Sequence, residues 1–314
     1  MTSQMTRSWK YFTALVALSL AAGAAAAERH ELAHGALRVQ IETSNERHLA
    51  QFGPRFDRTA IVSSITLDGE EFLGTWGLCD EFGLYGRGVL GYEVATEGEL
   101  FVKIGVGALV RNTAAPYHFA HPYPLHTSFP VVVEASETQL TVRQDSAPKL
   151  PHRYSYRKTY TIETGDRLTI HYELHNSGDV EWSFEHYNHH WFRLQDKQVG
   201  PAYRLTTGFL LPAPDAETKL LVEPTSLEMA THLDPGGAAY YASNLTDVPA
   251  ADNRFELSVG GATTLQYQGS FEPTRFALYA SEDGFCPEVF KRAVLAPGET
   301  ATWSASYRFI LNRD

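Results

Sequence analysis

Cysteine is nearly absent: the 314 residues hold only Cys79 and Cys286. That excludes a disulfide-stapled scaffold, and no Cys-x-x-Cys or Cys/His spacing offers a zinc site. One bond between them, or two buried free thiols, are both open from sequence. Methionine is scarce too, at three residues, and long stretches lack a 3.6-residue apolar period, which argues against a helical protein. There is no Lys/Arg-rich run, and the formal net charge is -11. An acidic surface repels phosphate, which argues against nucleic acid as a partner. No apolar stretch reaches the ~20 residues that a membrane-spanning helix needs.

What is present reads as an exported β protein. Arg7 and Lys10 precede an apolar stretch at 11–22, and four alanines follow at 24–27. Basic, apolar and small-residue regions in that order predict a secretory signal peptide cleaved after Ala27. The expected location is the periplasm or the exterior, with no membrane insertion after cleavage. Residues 28–314 contain no repeat, linker or low-complexity tract and read as a single domain. Aromatic residues make up 12%, with 16 Tyr and 17 Phe. They favour strands and can stack on sugar rings.

Alternation is clearest at 153–194. Tyr154, Tyr156, Lys158, Tyr160 and Ile162 alternate with Ser155, Arg157, Thr159 and Thr161. Leu168, Ile170, Tyr172 and Leu174 repeat the pattern after the turn Thr164-Gly165-Asp166, and Asn176-Ser177-Gly178-Asp179 is the next turn. Period-two alternation between such turns predicts antiparallel strands. Further strands are expected at 37–42, 60–67, 100–110 (broken by Gly105 and Gly107), 275–281 and 301–311. A hairpin is expected over 131–144. Closely spaced strands without helices predict a sandwich or barrel. The Pro-rich stretch 116–130 reads as an irregular loop carrying His118, His121 and His126, and their spacing fits no metal signature.

The strand that carries chemistry is 183–194. One face would present Phe184, His186, Asn188, His190, Phe192 and Leu194, with the two histidines packed in a core. The other would present Glu185, Tyr187, His189, Trp191 and Arg193 as the wall of an open trough. Acid, phenol, imidazole, indole and guanidinium on one face suit a carbohydrate, whose rings stack and whose hydroxyls take hydrogen bonds.

Two segments resemble the galactose mutarotase-like superfamily, the aldose 1-epimerases in particular. One is Asn188-His189-His190-Trp191-Phe192-Arg193-Leu194 after an Asn/Gly/Asp turn. The other is Leu295-Ala296-Pro297-Gly298-Glu299-Thr300 before a strand ending Tyr307-Arg308-Phe309. The resemblance implies an all-β supersandwich of antiparallel strands and a sugar ligand, with no cofactor and no metal. It implies His189 as the general acid that protonates the ring oxygen, and a glutamate near the C-terminus, Glu288 or Glu282, as base. The sequence departs from true galactose mutarotases: their early Gly-Arg-x-Ala-Asn-Arg-Ile element is absent, with Gly53-Pro54-Arg55-Phe56-Asp57-Arg58 as the stretch that could take its place, and their Cys-Leu-Glu strand is not reproduced, the matching region reading Leu278-Tyr279-Ala280-Ser281-Glu282 and then Cys286-Pro287-Glu288.

Sequence reading thus proposes His189, Glu288, Glu282 and Tyr187 as catalytic. It proposes Arg55, Lys103, Glu185, Asn188, Trp191, Arg193 and His126 as substrate-binding. Three functions remain open. The first is an aldose 1-epimerase-like enzyme. The second is a lyase cleaving uronic-acid polysaccharides, motivated by Arg55, Lys103, Arg157, Lys158, Tyr187 and His189. The third is a carbohydrate-binding protein without catalysis.

Overall fold

The computed structural model describes residues 28–43, 51–195, 197–214 and 218–311. The expected signal peptide lies outside the described residues. No helix among the described residues is long and apolar enough to cross a membrane.

Nearly every regular element is an antiparallel strand. A nine-stranded sheet runs in the order Glu28–His34, Leu37–Thr43, Ala60–Leu67, Leu73–Phe82, Trp182–Phe192, Gly284–Leu295, Arg275–Ser281, Ala239–Asn244, with Glu70–Glu71 paired to Ala60–Leu67. A ten-stranded sheet is centred on Tyr154–Thr164, Arg167–Asn176 and Thr300–Phe309. A small third sheet contains Val89–Leu90, Leu100–Lys103, Gly107–Val110 and Leu125–Ser128. The expected strands at 60–67, 131–144, 154–192 and 275–281 are all found. The expected strand at 100–110 is instead a hairpin. Gly105 and Gly107 both take positive φ, at 77° and 148°, which reverses the chain.

One apolar core fills the space between the two large sheets. The ten-stranded sheet contributes Tyr154, Tyr156, Tyr160, Ile170 and Tyr172. The facing sheet contributes Ile65, Leu78, Phe82, Phe184 and Phe192. Alternation thus follows the pleat: residues apolar at every second position bury one face of each strand.

Two strands of the nine-stranded sheet depart from this rule. Trp182–Phe192 is buried on both faces apart from Ser183, and Leu73–Phe82 is buried from Gly77 onward. Something must therefore cover the face that turns away from the core.

Candidate active site

The outer face of these strands gathers the chemistry. Leu73–Phe82 pairs with Trp182–Phe192 so that Glu81 lies opposite Tyr187 and Cys79 opposite His189. On the other flank Gly284–Leu295 pairs with the same strand. That register brings a His189 ring nitrogen, the Cys286 thiol and a Glu288 carboxylate oxygen within 4.8 Å of one another. An imidazole and a carboxyl at such separation can reach two neighbouring oxygens of one sugar.

Burial sets the protonation of this group. Loss of solvent pushes the Glu288 carboxyl up to about 8; Arg55 opposes that shift and Glu81 adds to it. Burial, followed by Glu288, pushes the Cys286 thiol well above its usual range, and its Sγ lies 3.6 Å from Glu288 Oε1. Holding the carboxyl proton near neutral pH suits Glu288 to proton transfer.

Beside it lies a cationic patch. The Arg55 Nε donates to Glu81 Oε2 at 2.9 Å, and its Nη2 donates to the Tyr187 hydroxyl at 3.2 Å. The Tyr187 hydroxyl donates in turn to Glu81 Oε2. Lys103 Nζ lies 3.6 Å from Glu81 Oε1 and donates to the Tyr117 hydroxyl at 2.9 Å. Burial lowers the Lys103 ammonium to about 8, although Glu81 pulls it upward. The Arg55 guanidinium is sandwiched between Phe56 and Phe119, 4.5 Å from each ring centre.

The trough expected over this face is filled. His189 and Trp191 are only 2% exposed. Trp76 stacks on both, with ring centres 5.6 and 4.5 Å apart, while Phe56 packs on His189 at 4.9 Å and Phe52 on Trp76 at 4.6 Å. Trp191 itself lies flat on a glycine: a Cβ on Gly284 would sit 2.1 Å from its ring. A hollow of about 240 Å³ opens behind the cover, lined by Phe52, Trp76, Gln40, Glu42, Ser63 and Thr75 among others. The covering aromatics come from residues 52–76, remote in sequence from the strand they cover, so the strand's own alternation carried no sign of them.

Of the residues singled out in the sequence, the fold brings together Arg55, Lys103, Tyr187, His189, Trp191 and Glu288. Glu185 shares their face but is held by Arg292 at 2.9 Å. Asn188 points the other way, between the sheets, where it donates to Asp80 at 2.6 Å. His186 and His190 also face inward, as expected from their apolar neighbours. Glu282 lies in the turn that joins Arg275–Ser281 to Gly284–Leu295, whereas Glu288 sits on the strand itself. Arg193 follows the end of its strand, past a register shift at 190–192, its N–H donating to Phe72 O. His126 is exposed on the small sheet.

Glu81, Tyr117 and Phe119 were missed. Glu81 had a signal: an acidic pair, Asp80-Glu81, inside the otherwise apolar end of Leu73–Phe82. Tyr117 and Phe119 belong to the Pro-rich loop, whose most conspicuous polar residues are its three histidines. The two cysteines lie on strands that flank Trp182–Phe192, about 9–10 Å apart across two strand spacings. That exceeds a disulfide's reach, and both are buried free thiols.

No family model matches the sequence, and no curated protein matches it. Solved structures do. A galactose mutarotase-like protein from Lactobacillus casei superposes with a TM-score of 0.56 at 15% identity, over 90% of this chain and 100% of that one. A galactose mutarotase related enzyme from Lactobacillus acidophilus gives 0.55 at 13%, over 91% and 99%. The chain has the galactose mutarotase-like fold. An aldose epimerase homologue from C. elegans shares this fold, with a TM-score of 0.52 at 11% identity over 91% and 99%. Within the galactose mutarotase-like sandwich, Trp182–Phe192 is a central strand of one sheet, so the His189 cluster sits mid-sheet and not at an edge.

Proposed function

We propose that the chain is an acid/base catalyst that opens and recloses a sugar ring, an aldose 1-epimerase-like activity. The observation that carries this reading is the convergence of His189 and Glu288 beside a buried Arg55–Glu81–Lys103 patch. Glu288, ionised, takes the proton of the anomeric hydroxyl. The bond from C1 to the ring oxygen breaks as C1 becomes a carbonyl, and His189 gives its proton to the ring oxygen. Rotation about C1–C2 exposes the other carbonyl face. The ring then recloses by the reverse transfers, so both side chains end as they began.

Arg55 and Lys103 offer hydrogen-bond donors to sugar hydroxyls. Sugar entering beside His189 displaces the Phe52, Phe56 and Trp76 cover, and those rings then serve as its apolar wall. The N-terminal pattern at residues 1–27 supports export to the periplasm or exterior, where the substrate would be met.

Lyase action on uronic-acid polymers is supported by Arg55, Lys103 and Tyr187 lying together. It is weakened elsewhere. Lys158 is locked between the sheets by Asp57 and Asp80, and Arg157 is exposed on the other sheet. Burial and Glu81 also push the Tyr187 phenol far above a useful base.

Polarimetry on fresh α-glucose and α-galactose tests the first reading, with alginate and pectate followed by ultraviolet absorbance in parallel. Faster mutarotation supports an epimerase. Absorbance of an unsaturated product replaces it with a lyase. Silence in both, with sugar binding retained, leaves a binding protein.

A further inference from the structure

The outer face continues beyond Glu288 toward the sheet edge. Ala277 pairs with Glu288, and Ala242 pairs with Ala277. Ala277 is closed over by Leu84, Tyr187 and Phe290, whereas Ala242, on the edge strand Ala239–Asn244, is only part buried and leaves a low place at the sheet edge. Larger groups rise around it. Arg275 donates from Nη2 to the Tyr240 hydroxyl at 3.0 Å, and its guanidinium lies 4.4 Å from the Tyr85 ring centre and 5.4 Å from that of Phe290. Phe290 stacks on Tyr187 at 4.6 Å. A continuous run of stacked groups therefore connects Tyr187, in the candidate site, with two surface tyrosines.

Those tyrosines are unusually open for their size: Tyr85 is 53% and Tyr240 50% exposed. The Arg275 Nε is shielded from solvent and has no hydrogen-bond partner among the described residues. Exposed aromatic faces joined to a stacked guanidinium present apolar surface and donors together. A sugar ring needs that pairing, apolar C–H face on the ring and hydroxyls on donors. A flat apolar partner would leave the arginine donors unused.

We infer that Tyr85, Tyr240 and Arg275 form a second sugar subsite, so that the substrate is an oligosaccharide with a free reducing end. Its terminal unit reaches Glu288 and His189, and the preceding unit lies at the sheet edge, over Ala242 and against the tyrosines. This rests on the acid/base reading of His189 and Glu288, and it names the substrate class for that site.

The test compares glucose with maltotriose, cellotriose and a galactose trisaccharide. Affinity is measured by calorimetry on the native protein and on a Tyr85→Ala/Tyr240→Ala double variant. Both side chains are on the surface, and thermal unfolding of the variant checks that it folds. The expected result is about tenfold tighter binding of one trisaccharide than of the monosaccharide, lost in the double variant. Monosaccharide affinity should be the same in both proteins. Equal affinity for short and long sugars overturns the subsite, as does trisaccharide binding that survives the double variant, or no binding of any chain. Polarimetry on the same proteins separates the two ideas. A tyrosine-dependent preference without mutarotation of any sugar keeps the subsite and removes the acid/base reading. Mutarotation without a preference does the reverse.

Discussion

Two ionic clusters lie back to back on the same pair of strands, and they are built differently. On the inner face Asp80 accepts from Lys158 at 2.7 Å, Asn188 at 2.6 Å, and Tyr172 and His186 at 2.9 Å each. Lys158 also reaches Asp57 at 2.9 Å and Ala60 O at 2.9 Å. Burial alone would raise the Asp80 carboxyl, but Lys158 and His186 outweigh it and hold Asp80 below the usual carboxylate range. The charged pair at the centre of this ring has its hydrogen bonds filled, while the His186 Nδ1 beside it has none among the described residues. On the outer face Glu81 Oε1 has only the 3.6 Å pair with Lys103, and Glu288 is pushed toward its neutral form. The inner cluster is nearly saturated with hydrogen bonds. The outer one keeps unspent donors and acceptors at equal burial. A buried polar group without a full set of partners is costly, so its persistence points to a ligand or a reaction.

The largest expected contrast is between histidines of one strand. His189→Asn should cut the mutarotation rate by about 10²–10⁴-fold and lower the urea midpoint through lost stacking on Phe56, Trp76 and Trp191. His190→Asn should lower the midpoint further and the rate far less. Its ring is held between Pro287 O and the Tyr307 hydroxyl, and burial lowers it to about 4, so it acts as a neutral packing group. Equal effects of the two variants on either measurement would erase the contrast.

Next come the cations. Lys158→Met leaves Asp80 without its main counter-charge and should cost about 3–5 kcal/mol in chemical unfolding. Arg55→Met should cost well under half of that, because Lys103 stays near Glu81, yet it should raise KM. A larger stability loss for Arg55→Met than for Lys158→Met would reverse the assignment of the two clusters.

A smaller effect concerns pH. Glu288 keeps its proton in the fold up to about 8, against 4.5 for the free side chain. Between those values the unfolded chain has lost the proton and the folded chain has not, so stability falls as pH rises through that window. Unfolding of Glu288→Gln followed over the same range should show a flatter decline. The smallest change is expected for Tyr187→Phe. It removes the hydroxyl shared by Glu81 and Arg55 and should cost about 1 kcal/mol in the same unfolding assay.

Much of the fold was legible because strand alternation is a local property. Tyr154, Tyr156, Lys158 and Tyr160 do line one buried face, although Lys158 is there for its charge and not as an apolar residue. The division of Trp182–Phe192 into His189 outside and His186 and His190 inside was also legible, since it follows from period two alone. Partners of that outer face were not. Glu81, Tyr117, Phe119 and Trp76 reach it from strands and loops at 76–119, more than sixty positions before it in sequence, and only the sheet order brings them together. The choice of Glu288 over Glu282 likewise needed the register, because a two-residue turn separates a strand position from a corner.

The most direct test of a reactive outer cluster is the initial mutarotation rate of fresh α-galactose and α-glucose, for the native protein and Glu288→Gln, from about pH 6 to about pH 9. The expected result is a bell-shaped pH profile for the native protein, because the base must be ionised while the acid keeps its proton, and a rate in Glu288→Gln close to that of buffer. A native rate equal to buffer at every pH, or a Glu288→Gln rate equal to native, would contradict it.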